Sequence, residues 1–201
     1  MFYKPHDSPS GMIYNLKYHG DKYLGLWLGH LLAKEMIDPL LSPFKGEEDP
    51  LLSPIKGEVK APLQLPRGGE EENGEDYNFF EGIDMIIPVP ISRGRRWKRG
   101  YNQSELIARG ISEVTGIPMR TDILRRVHFD RSQTKLTVLE RTENVEHAFE
   151  LKAAKAKDVS GKHILLVDDI ITTGATITAC AKELMKAGEV RFSVASVGFT
   201  K

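Results

Sequence analysis

The sequence predicts an α/β fold: a mostly parallel sheet with helices on both faces, plus a flexible lid region. Three observations carry the prediction. Residues 164–167 are a short aliphatic run that stops at two adjacent carboxylates, Asp168 and Asp169. Residues 83–89 are a second apolar run. Helical periodicity resumes after each, around 102–115 and 176–187. An aliphatic, β-branched run bounded by turn formers is what a strand buried on both faces looks like.

The elements follow in order. In residues 21–37, Leu24, Trp27, Leu28, Leu31 and Leu32 recur at helical spacing, with Asp21 as N-cap and Pro39 beyond the end. This is an amphipathic helix whose stripe, Trp27 included, is expected in the core. Residues 1–38 form the helical N-terminal part of the core. Residues 39–76 differ in character: Pro39-Leu-Leu-Ser-Pro-Phe-Lys-Gly-Glu recurs eleven positions later from Pro50 with Ile55 in place of the Phe, and Pro, Gly and Glu70 to Glu72 follow. Two copies are too few for a solenoid, and the composition predicts a disordered or loosely ordered insertion.

Core structure resumes in residues 77–201. Directly after the 83–89 strand, Arg93, Arg95, Arg96, Lys98 and Arg99 place five cations in seven positions, with Trp97 and Tyr101 interleaved. Read as a loop, this cluster suits a pyrophosphate or a single-stranded nucleic-acid groove. Its confinement to one loop, ahead of a helix opening at Asn102 with Glu105 three positions on, favours the pyrophosphate. That helix carries Leu106, Ile107, Ile111 and Val114 and stops at Gly116. Residues 124–149 are polar, with few apolar anchors, and read as a lid over a charged substrate. A final helix at 176–187 buries Ile177, Ala181 and Leu184, and a last strand spans 190–197.

The acids and the loop after them define a chemistry. At the carboxyl end of a parallel strand, where open α/β sheets bind ligands, Asp168 and Asp169 can accept hydrogen bonds from vicinal ribose hydroxyls. Gly174 and Ala175 let backbone amides approach a phosphate at a helix start, and Thr172, Thr173 and Thr176 add hydroxyl donors. The pieces suit a phosphorylated sugar.

Composition bounds the rest. At 201 residues, 40% hydrophobic and with 28 acidic and 28 basic side chains, the chain suits one sizeable core and not a general nucleic-acid coat. Cys180 is the sole cysteine, so neither a disulfide framework nor a Cys-based zinc site is expected. The start reads as no signal peptide, and the apolar stretch 24–33 is half of what a bilayer span needs, so a cytoplasmic setting without a membrane span is expected.

The thirteen residues 164–176 resemble the phosphoribosyl pyrophosphate signature of type I phosphoribosyltransferases. Lys17-Tyr-His-Gly-Asp21, Pro88-Val-Pro90, Arg99-Gly-Tyr-Asn-Gln103, Leu124-Arg-Arg126, Gln133, Glu140-Arg141, Asn144-Val145 and Ala148-Phe149 are similar to the ComF family, a branch tied to bacterial competence and DNA uptake. The resemblance implies a phosphoribosyl pyrophosphate site in which Asp168 and Asp169 serve catalysis by holding the ribose hydroxyls. Thr172, Thr173, Gly174, Ala175 and Thr176 would hold the 5-phosphate. Pro90, Ile91, Ser92 and Arg93 would approach the pyrophosphate, with Arg99, Asn102 and Gln103 on the same side. It implies magnesium reached through the ligand and not through direct protein ligands. ComF-like chains commonly begin with a four-cysteine zinc module; with no cysteine before Cys180, no zinc is expected here. Three readings remain open: transfer of phosphoribose to a nitrogen acceptor; a competence factor binding single-stranded DNA or a partner helicase, with the sugar phosphate as regulatory ligand; or a folded but inactive paralogue, against which the retained acids and phosphate loop count.

Overall fold

The computed structural model describes Leu16 and residues 22–37, 79–127 and 148–199. Residues 17–21, the repeat segment 39–76 and the centre of the polar stretch, with Gln133, Glu140, Arg141, Asn144 and Val145, lie outside the described residues. In chain order the strands are β1 (Met85–Pro88), β2 (Leu124–Arg126), β3 (Phe149–Leu151), β4 (His163–Ile171) and β5 (Arg191–Phe199). The helices are α1 (Lys22–Ile37), α2 (Arg93–Arg99), α3 (Gln103–Thr115), α4 (Ala156–Val159) and α5 (Ala175–Met185).

The sheet has the order β1-β4-β5, all parallel. An isolated parallel bridge from Ile86 to Met119 extends it beyond β1. Side chains alternate across a strand, and that alternation divides the core. Ile86, Leu165, Val167 and Ala195 face one side, where α1 and α3 bring Leu24, Leu28, Ile107 and Ile111. Met85, Ile87, Ile164 and Leu166 face the other, covered by Ala179, Cys180 and Leu184 of α5 and by Leu124 and Phe149. Each buried aliphatic side chain contributes about 1.5–3 kcal/mol. Over residues 164–167 both faces of β4 are therefore dry, as that unbroken apolar run predicts.

Four expectations change. The α1 stripe is rotated: Leu24 and Leu28 are buried with Gly25, Gly29 and Ala33, whereas Trp27 is 44% exposed. The glycines let α1 lie directly on the backbone of α3, so the close face is set by the smallest residues and not the largest. His30 turns to α3 as well, meeting Glu113 at 2.8 Å. The basic segment is not a loop but the helix α2, opened by the Ser92 hydroxyl accepting from Arg95 N at 3.3 Å and closed by Gly100 at φ 77°. β4 continues past its acids to Ile171, because β5 keeps pairing after β1 has ended at Pro88 opposite Val167. In α5, Ala179, Cys180 and Glu183 are buried with Leu184, while Ile177 and Ala181 are half-buried.

The ends of the polar stretch form an antiparallel ribbon, Arg126 opposite Phe149. No helix among the described residues is long and apolar enough to cross a membrane.

Candidate functional site

Three segments meet where β1 and β4 part. β1 stops one residue before Val89, whose amide still donates to Val167 O at 2.9 Å, and β4 carries on into Asp168. The chain then leaves β1 through Pro90, Ile91 and Ser92 into α2.

Asp168 is almost wholly buried, at 9% exposure, and its Oδ1 accepts from Ser104 Oγ at 3.1 Å and from Asp169 N at 2.9 Å. Burial, and then the neighbouring charge of Asp169, push its carboxyl up to about 6. Asp169 is half-buried and accepts from Ile170 N at 2.8 Å.

β4 runs from these acids into the turn 172–174. Gly174 caps α5 at φ 74°, a left-handed conformation that suits glycine, and a Cβ built on it meets nothing within 4 Å. Ala175 N donates to Thr173 Oγ1 at 3.4 Å, and the first helical bond runs from Thr178 N to Gly174 O at 2.9 Å. The amides ahead of that bond lie at the positive end of the α5 dipole. Thr172 and Thr173 are exposed; Thr176 is half-buried.

Across from the acids, the start of α3 is unusually polar for its burial. Asn102 is 4% exposed and donates Nδ2 to Val89 O at 2.9 Å; Gln103 is 2% exposed and accepts from Arg99 Nη1 at 3.3 Å. Asn102 Oδ1 and Gln103 Nε2 are buried without a hydrogen-bond partner. Such groups cost about 1–3 kcal/mol each unless something satisfies them. One is an acceptor and the other a donor.

The cations do not act as one patch. Helical spacing spreads them: Arg96 pairs with Glu105 at 3.1 Å, Arg99 turns toward Gln103, and Arg93, Arg95 and Lys98 are exposed around Trp97. Arg126 closes the Leu124-Arg-Arg126 motif. It lies over the Phe149 ring, 5.0 Å from its centroid, and burial and the charge of Arg95 lower its pKa, while Asp168 counters. The structure thereby brings Arg126 into the electrostatic field of the acids. Ser104 was missed entirely, since nothing in the sequence separates it from any other serine in a first helical turn.

The phosphoribosyl transferase domain family matches residues 99–199, from the end of α2 to the end of β5. The chain belongs to the phosphoribosyltransferase family. Among curated relatives it is 38% identical over 105 residues to Competence protein F of Haemophilus influenzae, covering 52% of this chain and 45% of that one. It is 32% identical over 111 residues to the DNA utilization protein YhgH of Escherichia coli, covering 55% and 47%. It is 31% identical over 105 residues to Competence protein ComFC of Bacillus subtilis, covering 52% and 40%. The chain spans somewhat under half the length of these relatives. The ComF resemblance read from the motifs agrees with them.

Among the described residues no group of three or more His, Cys, Asp or Glu side chains is placed to hold a metal ion.

Proposed function

We propose that the chain binds 5-phosphoribosyl 1-pyrophosphate with magnesium between the ends of β1 and β4, and transfers its phosphoribosyl group to a nitrogen acceptor. The observation that carries this reading is the convergence of Asp168 and Asp169, the α5 N-terminus and the buried Asn102 and Gln103 on one edge of the sheet. Asp168 and Asp169 accept from the ribose 2- and 3-hydroxyls. Residues 172–176 receive the 5-phosphate. Residues 90–93 and Arg99 flank the pyrophosphate, with Asn102 and Gln103 behind them.

In the transfer, the acceptor nitrogen forms a bond to the anomeric carbon as the bond to pyrophosphate oxygen breaks, and the nitrogen loses its proton. The two carboxylates stabilise the positive charge that builds on the ribose ring, the kind of preorganised electrostatics that dominates such catalysis. Magnesium, if bound with the ligand, would supply positive charge to the pyrophosphate oxygens.

Because Asp168 accepts a ribose hydroxyl more strongly as the carboxylate and its carboxyl is pushed up to about 6, affinity is expected to fall below pH 6. The loss should approach tenfold per pH unit, as one-proton linkage requires. Calorimetric titrations between pH 5 and 8 check this. Screening nucleobases for pyrophosphate release tests the transfer: release with one base supports it, and tight binding without release by any leaves the sugar phosphate as a regulatory ligand.

A second reading has its own support. Trp97 is 91% exposed on α2 among cations, a stacking platform of the kind single strands use, and a relative is named a DNA utilization protein. In that reading α2 binds single-stranded DNA or a helicase partner. Since Arg96 is engaged by Glu105, the informative variant is Arg93→Ala with Arg95→Ala. It is expected to lower the slope of log affinity against log salt by about 1.4, near 0.7 per charge on single strands. No binding of single-stranded DNA by the unaltered protein at low salt ends this reading.

A further inference from the structure

The beginning of α3 ties separate parts of the site together through nearly consecutive side chains. The Tyr101 hydroxyl donates to Leu16 O, Asn102 donates to Val89 O, and Ser104 donates to Asp168 Oδ1. The last of these reaches the acidic strand itself. Ser104 is 2% exposed, so the bond is sealed from water and worth more than its surface counterpart.

Asp168 Oδ1 receives two donors, Ser104 Oγ at 3.1 Å and Asp169 N at 2.9 Å. Two donors occupy the two lone pairs of one oxygen. Neither of these donors engages Oδ2. We propose that Ser104 is a positioning residue, whose hydroxyl locks the Asp168 carboxylate so that Oδ2 is presented to the vicinal hydroxyls of the sugar. This rests on the phosphoribosyl reading above.

The choice of serine has a physical reason. A cation on Oδ1 would cancel the negative charge that the site needs, whereas a neutral hydroxyl orients the carboxylate and favours its charged form. Among the described residues, the charged and titratable groups facing Asp168 are Asp169 on its own strand, Arg126 from β2 and Cys180 from α5, whose thiol is kept neutral by burial. Burial and the charge of Asp169 press Asp168 toward protonation, and the Asp169 amide and then Ser104 oppose them.

Two readouts test this, one of them without ligand. Carbon-13 titration of the Asp168 carboxyl in the ligand-free protein is expected to show a higher midpoint in Ser104→Ala, and a smaller rise in Ser104→Cys, which keeps the size and a weak donor. Ser112→Ala, which removes a hydroxyl bonded to Ile117 O at 2.6 Å, should leave it unmoved. With magnesium and phosphoribosyl pyrophosphate, calorimetry should show Ser104→Ala binding about tenfold more weakly at pH 7, the usual scale for a hydrogen bond to a charged group, and its low-pH limit displaced upward. An unmoved carboxyl midpoint in folded Ser104→Ala overturns the proposal, as does an affinity loss equal at every pH. If the alanine variant does not fold, the cysteine variant decides by the same criteria. Should the unaltered protein show the Ser104-dependent titration yet bind no phosphoribosyl pyrophosphate, the ligand reading falls and the positioning role falls with it.

Discussion

Gly110→Ala is expected to lower the melting temperature by about 4–8 °C or to prevent folding. A Cβ built on Gly110 lies 2.3 Å from Leu26 O, 2.8 Å from Gly29 Cα and 2.9 Å from His30 N. These are backbone atoms, so no rotamer change relieves the clash; α1 must move off α3. That movement opens the layer formed by Leu24, Leu28, Ile107 and Ile111, all fully or nearly fully buried. Overpacking of a tight core costs up to about 3 kcal/mol, and alanine returns about 1 kcal/mol in helix propensity. The net loss is about 2 kcal/mol or more, and each kcal/mol shifts a domain of this size by about 2–4 °C. Gly29→Ala, whose Cβ would sit 2.1 Å from Ile107 O, should behave alike. Gly94→Ala is the contrast: it lies in α2 with nothing within 4 Å, and should leave stability unchanged or slightly raised. Thermal unfolding of the three variants checks the set, and an unaltered melting temperature for Gly110→Ala contradicts the α1 to α3 packing.

That glycine contact also marks where the sequence stops being legible. The strands were readable because a strand dry on both faces must be apolar throughout, as β1 and residues 164–167 are. The bounds of α3 were readable because Asn102 and Gly116 are cap residues, and Gly116 indeed takes φ 74°. By contrast, periodicity weighs large apolar side chains, so Trp27 was placed inside when the buried face of α1 runs through Gly25 and Gly29. The helix α2 carries no apolar stripe, so only Ser92 and Gly100 hint at its ends. Where β4 ends depends on how far β5 accompanies it, which is a property of pairing and not of either segment.

Within the site, the acids and the Gly174 turn were legible because their chemistry is local. The Ser104 to Asp168 bond was not, since it joins positions 64 apart along the chain. The same holds for Arg126, whose neighbours Arg95 and Asp168 come from other elements.

The largest effect on binding is expected from Asp168→Asn combined with Asp169→Asn. Each carboxylate accepting from a ribose hydroxyl is a charge-assisted bond worth about 1.5–3 kcal/mol, so losing both should weaken binding by about 10²–10⁴. Folding should survive, because asparagine keeps the shape and an Oδ1 acceptor for Ser104. Removing two adjacent like charges, one of them buried with its carboxyl pushed up to about 6, relieves repulsion, so the melting temperature at pH 7 should not fall. The most direct measurement is isothermal calorimetry of magnesium phosphoribosyl pyrophosphate against the unaltered protein and this double variant at pH 7.5. Saturable, magnesium-dependent binding by the first and at least a hundredfold loss in the folded second are expected; equal affinity for both contradicts the site at Asp168 and Asp169.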